Sequence, residues 1–287
     1  MEISFDIFRY SVPSCWYEGV YGDKRECCKA ARSFSLLHEN KPEECWLFLH
    51  GYRGYPGELV RPAVDLFELG YDVYVPRLPG HGTSWEDFSR THSSDWMGLA
   101  LNAVRDLEGK YEKIHLLGHS MGTAMAAIIG ADNEKIGKIV YASPSFENTQ
   151  MTFPARLNLR IMALFTPKVN CHWHPSSKYH LHYEGAPADY LFLGNEYWTW
   201  FFTRQLPEYY SLLKQGLAAL SRNGHEHLVI CPAKDDRISI PSLKLYRKAV
   251  KGRENAVVIE NGTHCIFYDK DPAAEEQAVQ AVVSFVK

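Results

Sequence analysis

From about residue 32 onward, short apolar runs alternate with longer segments whose apolar positions recur every three to four residues. The short runs are SFSLLHE, CWLFLHG, YDVYVPRLPGHG, KIHLLGHS and IGKIVYAS, followed much later by EHLVICPA and NAVVIEN. Near-continuous apolar runs of this length suit strands covered on both faces, as in a parallel sheet. The clearest helical pattern places Trp96, Leu99, Ala100, Ala103, Val104 and Leu107 on one face, with Ser93 and Ser94 positioned to cap it. A second helix is expected to open at Pro62 and stop at Gly70, burying Ala63, Leu66 and Phe67. MGTAMAAIIGA, a segment near 241–250, and a closing segment from Pro272 that buries Val279, Val282, Val283 and Val286 supply the others. Strands alternating with helices predict a mostly parallel central sheet flanked by helices.

The alternation stops between residues 146 and 224, where Tyr190, Phe192, Tyr197, Trp198, Trp200, Phe201, Phe202, Tyr209 and Tyr210 crowd together. That stretch reads as helices and loops rather than sheet. The pattern therefore predicts one core domain from 1–145 and 225–287, interrupted by a helical cap insertion at 146–224. Whether its aromatics line a pocket or attach the cap to the core is not decided by their spacing.

Composition narrows the function classes. A chain of 287 residues that is 46% hydrophobic and 23% charged buries a sizeable core. A net charge of −3 with no basic block argues against nucleic acid as a partner. No apolar run approaches the length that spans a bilayer, so no stable membrane insertion is expected. Glu2 and Asp6 stand where a secretory leader would carry basic residues, and seven cysteines form no disulfide framework. Reduced thiols in a cytoplasmic protein is the expectation these features carry.

The chemistry centres on Gly118-His119-Ser120-Met121-Gly122, a G-x-S-x-G between an expected strand and an expected helix. In that context the motif is a nucleophile elbow, a turn so sharp that its serine is strained and its flanks leave no room for a Cβ. A nucleophilic serine needs a base, an orienting acid and donors for an oxyanion. His50-Gly51-Tyr52 ends an earlier core strand, so the Tyr52 amide can join that of Met121 as an oxyanion hole. Asp235 and Asp236 both follow EHLVICPA, and His264 follows NAVVIEN. The order is serine, acid, histidine, with either aspartate available.

The stretches FLHGYRGYPGEL, GYDVYVPRLPGHGTS, HLLGHSMGTAMA, PAKDDRIS and NGTHCIFYD resemble the α/β-hydrolase superfamily. Within it the sequence is similar to serine carboxylesterases and monoacylglycerol lipases with a small cap. The resemblance covers most of the chain from about residue 45, apart from the insertion. It implies the α/β-hydrolase fold, Ser120 as nucleophile, His264 as general base and then acid, and the Tyr52 and Met121 amides as oxyanion donors. The superfamily's acid follows a small residue and two spacers and precedes any residue and an aliphatic, which Ala233-Lys234-Asp235-Asp236-Arg237-Ile238 meets with Asp236. Asp235 is the alternative one position away. The expected reaction is hydrolysis of a small-molecule carboxylic ester with an apolar acyl or alcohol part, through an acyl-enzyme and with no cofactor. Thioester, amide or C–C cleavage and acyl transfer use the same residues, and a ligand receptor could retain them with slow turnover.

Other chemistry-bearing residues carry less. Cys171, His172, His174, His180 and His182 form a histidine-rich stretch whose spacing matches no closed zinc site, so no metal is expected. His81 lies in a Pro-Gly turn, and His119 points away from its neighbour Ser120 on the elbow.

Overall fold

The computed structural model describes residues 6–147, 149, 152–175, 179, 181–183 and 185–287. Its strands are β1 (Phe34–Leu36), β2 (Glu44–Leu49), β3 (Asp72–Val75), β4 (Lys113–His119), β5 (Ile136–Ala142), β6 (Lys168–Asn170), β7 (Trp200–Phe202), β8 (His227–Pro232) and β9 (Ala256–Ile259). Its helices are α1 (Val60–Glu68), α2 (Trp85–Phe88), α3 (Ser93–Glu108), α4 (Met121–Gly130), α5 (Phe153–Met162), α6 (Ala186–Leu193), α7 (Gln205–Leu220), α8 (Ser239–Val250) and α9 (Pro272–Val286). Seven strands form one sheet in the order β1-β3-β2-β4-β5-β8-β9. Only β1 runs antiparallel to its neighbour; every other pairing is parallel. The expected sheet is present with all seven predicted strands in it.

Side chains alternate between the two faces with the period of two that a strand imposes. On β2, Cys45, Leu47 and Leu49 join the core packed by Trp96, Leu99 and Ala103 of α3 and by Ala124 and Ala127 of α4. Trp46 and Phe48 point the other way, toward Ala63, Val64 and Leu66 of α1 and Ala278, Val279 and Val282 of α9. Phe67 and Val283, expected on those buried faces, are only partly covered.

Two expectations are corrected. The segment 146–224 contains sheet as well as helix, because β6 pairs antiparallel with β7. The Lys168 ammonium there lies between the Trp85 and Trp200 rings, 3.3 and 3.6 Å from their centroids, a cation–π contact that sequence spacing does not reveal. The α3 N-terminus is not capped by Ser93 or Ser94. His92 holds the N-cap position and its N–H donates to Asp95 Oδ2 at 2.7 Å. The Ser93 N–H donates to Glu208 Oε2 on α7 at 2.7 Å, so a carboxylate from a distant helix meets the positive end of α3.

Helix α7 packs along α4, the helix that follows the elbow. A Cβ placed on Gly216 would come within 2.6 Å of Ala124 Cα, backbone that cannot yield as a side chain would. Gly216→Val is therefore expected to destabilise the fold by about 1–3 kcal/mol, read as a lowered thermal midpoint. An unchanged midpoint would mean that the α4–α7 contact is looser than this packing implies.

Candidate active site

The sheet places the site at the carboxyl ends of its central strands. Strands β2 and β4 are adjacent, with Leu49 opposite Gly118, so the chain leaving β2 runs beside the chain leaving β4. At that point Ser120 has φ 55° and ψ −119°, the strained turn expected of a nucleophile elbow. A Cβ on Gly118 would collide with the Gly122 carbonyl, and one on Gly122 with the Leu49 carbonyl. A Cβ on Gly51 would fall 2.9 Å from Ser120 Cβ, which shows how closely the strand end after β2 approaches the serine. Met121 opens α4, so its amide belongs to the first turn, whose N–H groups have no acceptor within the helix. The Tyr52 ring is held among Phe88, Trp96 and Tyr209, which fixes the turn carrying its amide.

His264 Nε2 lies 2.9 Å from Ser120 Oγ, and His264 Nδ1 lies 2.6 Å from Asp235 Oδ2. The register of the acid thus differs from the expected one: Asp235, not Asp236, meets the histidine. Asp236 points into solvent with its side chain 84% exposed and sits 3.9 Å from Arg237. The reason is local. Asp235 immediately precedes the turn into α8, where its carboxylate accepts from the Ile238 and Ser239 amides and from Ser239 Oγ at 3.2, 3.1 and 2.5 Å. A carboxylate at a helix start, with N–H groups three and four residues ahead, was a signal available in the sequence. Ser239 itself went unnoticed there.

Further residues missed by sequence reasoning hold the loops. Asp269 Oδ2 accepts from the Thr263 amide at 2.6 Å and from Thr263 Oγ1 at 2.8 Å, fixing the segment just before His264. The His264 carbonyl accepts from His119 Nε2 at 2.9 Å and from Ser143 Oγ at 2.8 Å. His119 therefore serves the histidine's main chain and does not bond the serine. His50 is buried, donates from Nδ1 to the Gly51 carbonyl and accepts the Leu78 amide at Nε2, both at 3.0 Å. Burial pushes its pKa down to about 3, so it stays uncharged. His81 is buried in its turn, with Nδ1 3.1 Å from the Pro79 carbonyl. His182 donates to Glu275 on α9 at 2.6 Å, His172 and His174 are exposed, and His180 lies outside the described residues. Among the described residues no cluster of three or more His, Cys, Asp or Glu is arranged to hold a metal.

Two cavities meet at Ser120 and share Tyr52, Arg53 and His264. The larger, about 590 Å³, is walled by Leu159, Met162, Phe201, Phe202, Leu206 and Tyr209. The smaller, about 330 Å³, is walled by Trp173, Tyr179, Tyr190, Trp198 and Tyr268, with Glu58 and His119 at its floor. The aromatic stretch thus divides: Phe201, Phe202 and Tyr209 face one cavity, and Tyr190 and Trp198 the other. Tyr197 faces neither, and its hydroxyl bonds Gly80 and Thr83 in the core. Arg53 spans from the turn after Gly51 to the 146–224 segment, donating to the Tyr197 and Trp200 carbonyls at 3.2 and 2.5 Å.

A family model described as the alpha/beta hydrolase family matches residues 46–278, and the chain belongs to that family. A thermostable monoacylglycerol lipase of Bacillus sp. (strain H-257) is 34% identical over 95 residues, 33% of this chain and 38% of that protein. A carboxylesterase of Bacillus subtilis (strain 168) is 29% identical over 85 residues, 29% of this chain and 35% of that protein. The matched segments thus span little more than a third of either relative. Among solved structures, one from a study of the metagenome-derived lipolytic enzymes LipS and LipT superposes with a TM-score of 0.73 at 18% identity, covering 91% of this chain and 99% of that one. A monoacylglycerol lipase of Paleococcus ferrophilus gives 0.63 at 16% identity, covering 88% and 98%. These structural likenesses concern the fold. Among the described residues no helix is long and apolar enough to cross a membrane.

Asp235 also sets an acid limit on stability. Burial pushes its carboxyl up, but the hydrogen bond and charge of His264 and the Ser239 donors outweigh this and hold it at about 2, below the ordinary 3.8. Its folded value is the lower one, so its contribution is complete above the unfolded value and is lost as pH falls toward about 2. The urea midpoint should decline between about pH 5 and pH 2, losing about 2 kcal/mol that Asp235→Asn does not lose over that range. Equal declines in both proteins would place the acid sensitivity elsewhere.

Proposed function

We propose that this protein is a serine hydrolase that cleaves carboxylic esters with an apolar part through an acyl-enzyme. The reading rests above all on the continuous Asp235–His264–Ser120 chain of hydrogen bonds at a strained elbow. Ser120 Oγ attacks the ester carbonyl while His264 Nε2 takes its proton. The charge on the carbonyl oxygen develops toward the Tyr52 and Met121 amides, aided by the positive end of α4. Asp235 keeps the His264 proton on Nδ1, so that Nε2 is free to act as base, and stabilises the imidazolium that forms. His264 then protonates the leaving alcohol, and water releases the acid by the same steps in reverse order of roles. No step calls for a cofactor.

The segment 146–224 acts in this reading as a cap over the 1–145 and 225–287 core, and the larger cavity takes the apolar part of the substrate. The names of the two bacterial relatives, a monoacylglycerol lipase and a carboxylesterase, support ester chemistry over thioester, amide or C–C cleavage. Multiple turnover separates the enzyme from a receptor on the same fold.

Ser120→Ala should remain folded and lose at least about 1000-fold in rate, and a fluorophosphonate should label Ser120 alone. Asp235→Asn should cripple turnover, whereas Asp236→Asn should be mild, as its exposed side chain touches neither partner. Reversed results in that pair would return the acid to Asp236. In a p-nitrophenyl ester series, each methylene buried in the larger cavity contributes about 0.8 kcal/mol, or about fourfold in kcat/KM, until the cavity is full. A flat profile from acetate to laurate would mean that its aromatic wall does not receive the acyl chain.

A further inference from the structure

Behind the serine, two titratable side chains are buried together without a role in the steps above. Glu58 is 4% exposed and His119 3% exposed. Glu58 Oε1 accepts from Tyr268 OH at 3.0 Å, and Oε2 lies against the Gly54 backbone, where a Cβ would come within 2.7 Å of it. That glycine closes the turn whose amide donates to Gly51 at 2.9 Å. The same oxygen, Oε2, lies 3.8 Å from His119 Nδ1, too long for a hydrogen bond, and Nδ1 has no other partner among the described residues. His119 Nε2 carries the proton, because its contact is a carbonyl oxygen, that of His264.

We propose that Glu58 and His119 are a positioning pair for His264: an uncharged Glu58 keeps the His119 proton on Nε2, where it holds the His264 main chain, and ionisation of Glu58 releases that hold. With Glu58 protonated, no charge faces the bare Nδ1 and the Nε2–H donation to the His264 carbonyl is favoured. When the carboxyl loses its proton to solvent, the carboxylate favours a proton on Nδ1 instead. One proton leaves the pair overall, and the imidazole exchanges its Nε2 proton for one on Nδ1. The Nε2 lone pair then faces the His264 carbonyl oxygen across 2.9 Å, acceptor against acceptor. Among the described residues Ser143 then remains to hold that carbonyl. The inference rests on His264 being the catalytic base.

The surroundings single out Glu58 as the group that titrates in alkaline solution. Tyr55 from its own turn, Tyr183 from the cap, and Cys265 and Tyr268 from the loop after β9 face it together with His119. Burial raises all four of those hydroxyl and thiol groups, Cys265 to about 12, so they stay uncharged. On the other side of His119 stand His264, His50 and Asp235. Burial, and then the neighbouring His264, pushes His119 down to about 3. Burial pushes Glu58 up to about 8, against the opposing hydrogen bonds from Tyr268 and the Tyr55 amide. A carboxyl pushed this far up by burial beside a site is a group whose charge state bears on that site.

The test measures kcat and KM for p-nitrophenyl butyrate from about pH 6 to pH 10. Wild-type kcat should fall above pH 8 with KM little changed. Glu58→Gln, which keeps shape and a donor but cannot ionise, should keep the melting temperature and lose the alkaline fall. His119→Gln should likewise lose the alkaline fall, while His119→Ala should lose about tenfold in kcat at neutral pH with KM unchanged. Independently of turnover, 15N spectra of His119 in Ser120→Ala protein should show the Nε2–H tautomer at neutral pH and the Nδ1–H tautomer above the transition. An alkaline fall that persists in Glu58→Gln, or a His119 tautomer that does not change, overturns the proposal. Because the spectra need no substrate, a chain that fails to hydrolyse esters is distinguished from one in which the pair does not switch.

Discussion

The site depends on backbone meeting backbone where β2 and β4 end. Gly118, Gly122 and Gly51 each occupy a place where one added carbon would strike a neighbour's main chain or the serine itself. Their absence of side chains lets the β2 exit lie against the β4 exit. Two amides can then share one small volume with the hydroxyl of Ser120. The strain in Ser120 is sustained because the flanking strands are buried and paired on both sides, which leaves the turn no relaxed alternative. A sheet less tightly packed would let the serine fall back into an ordinary turn.

Much of this was legible before the structure. Apolar runs gave the strands because a parallel sheet covered on both faces needs apolar residues in unbroken series. Gly118 and Gly122 betrayed the elbow because close approach excludes every other residue. What was not legible depended on contacts between distant segments. Glu208 caps α3 from α7, and Lys168 finds two tryptophans from α2 and β7, neither of which any local period encodes. The choice between Asp235 and Asp236 failed for a different reason. Adjacent aspartates are equivalent by composition, and their distance from the amides of the α8 turn decides which carboxylate is turned inward.

Four histidines near the site show how environment assigns work to one residue type. His50, His81 and His119 are buried and held uncharged, and each bonds a main-chain carbonyl. His264 alone faces the serine with a carboxylate at its back. A protein needing a single proton shuttle is better served when its neighbouring imidazoles do not compete for the proton. Burial performs that separation.

Arg53 joins two parts of the molecule that are distant in sequence. Its backbone belongs to the turn that carries the Tyr52 amide, and its guanidinium is committed to carbonyls at Tyr197 and Trp200 in the 146–224 segment. In the proposed reaction, a substrate too bulky for the larger cavity would press on β7, loosen those bonds and disturb the turn beneath. The penalty for a poor fit would then be felt where charge develops during reaction rather than where the substrate rests beforehand. Discrimination by size would accordingly register in turnover more than in affinity. In the proposed reaction a mismatched ester would bind adequately and react slowly.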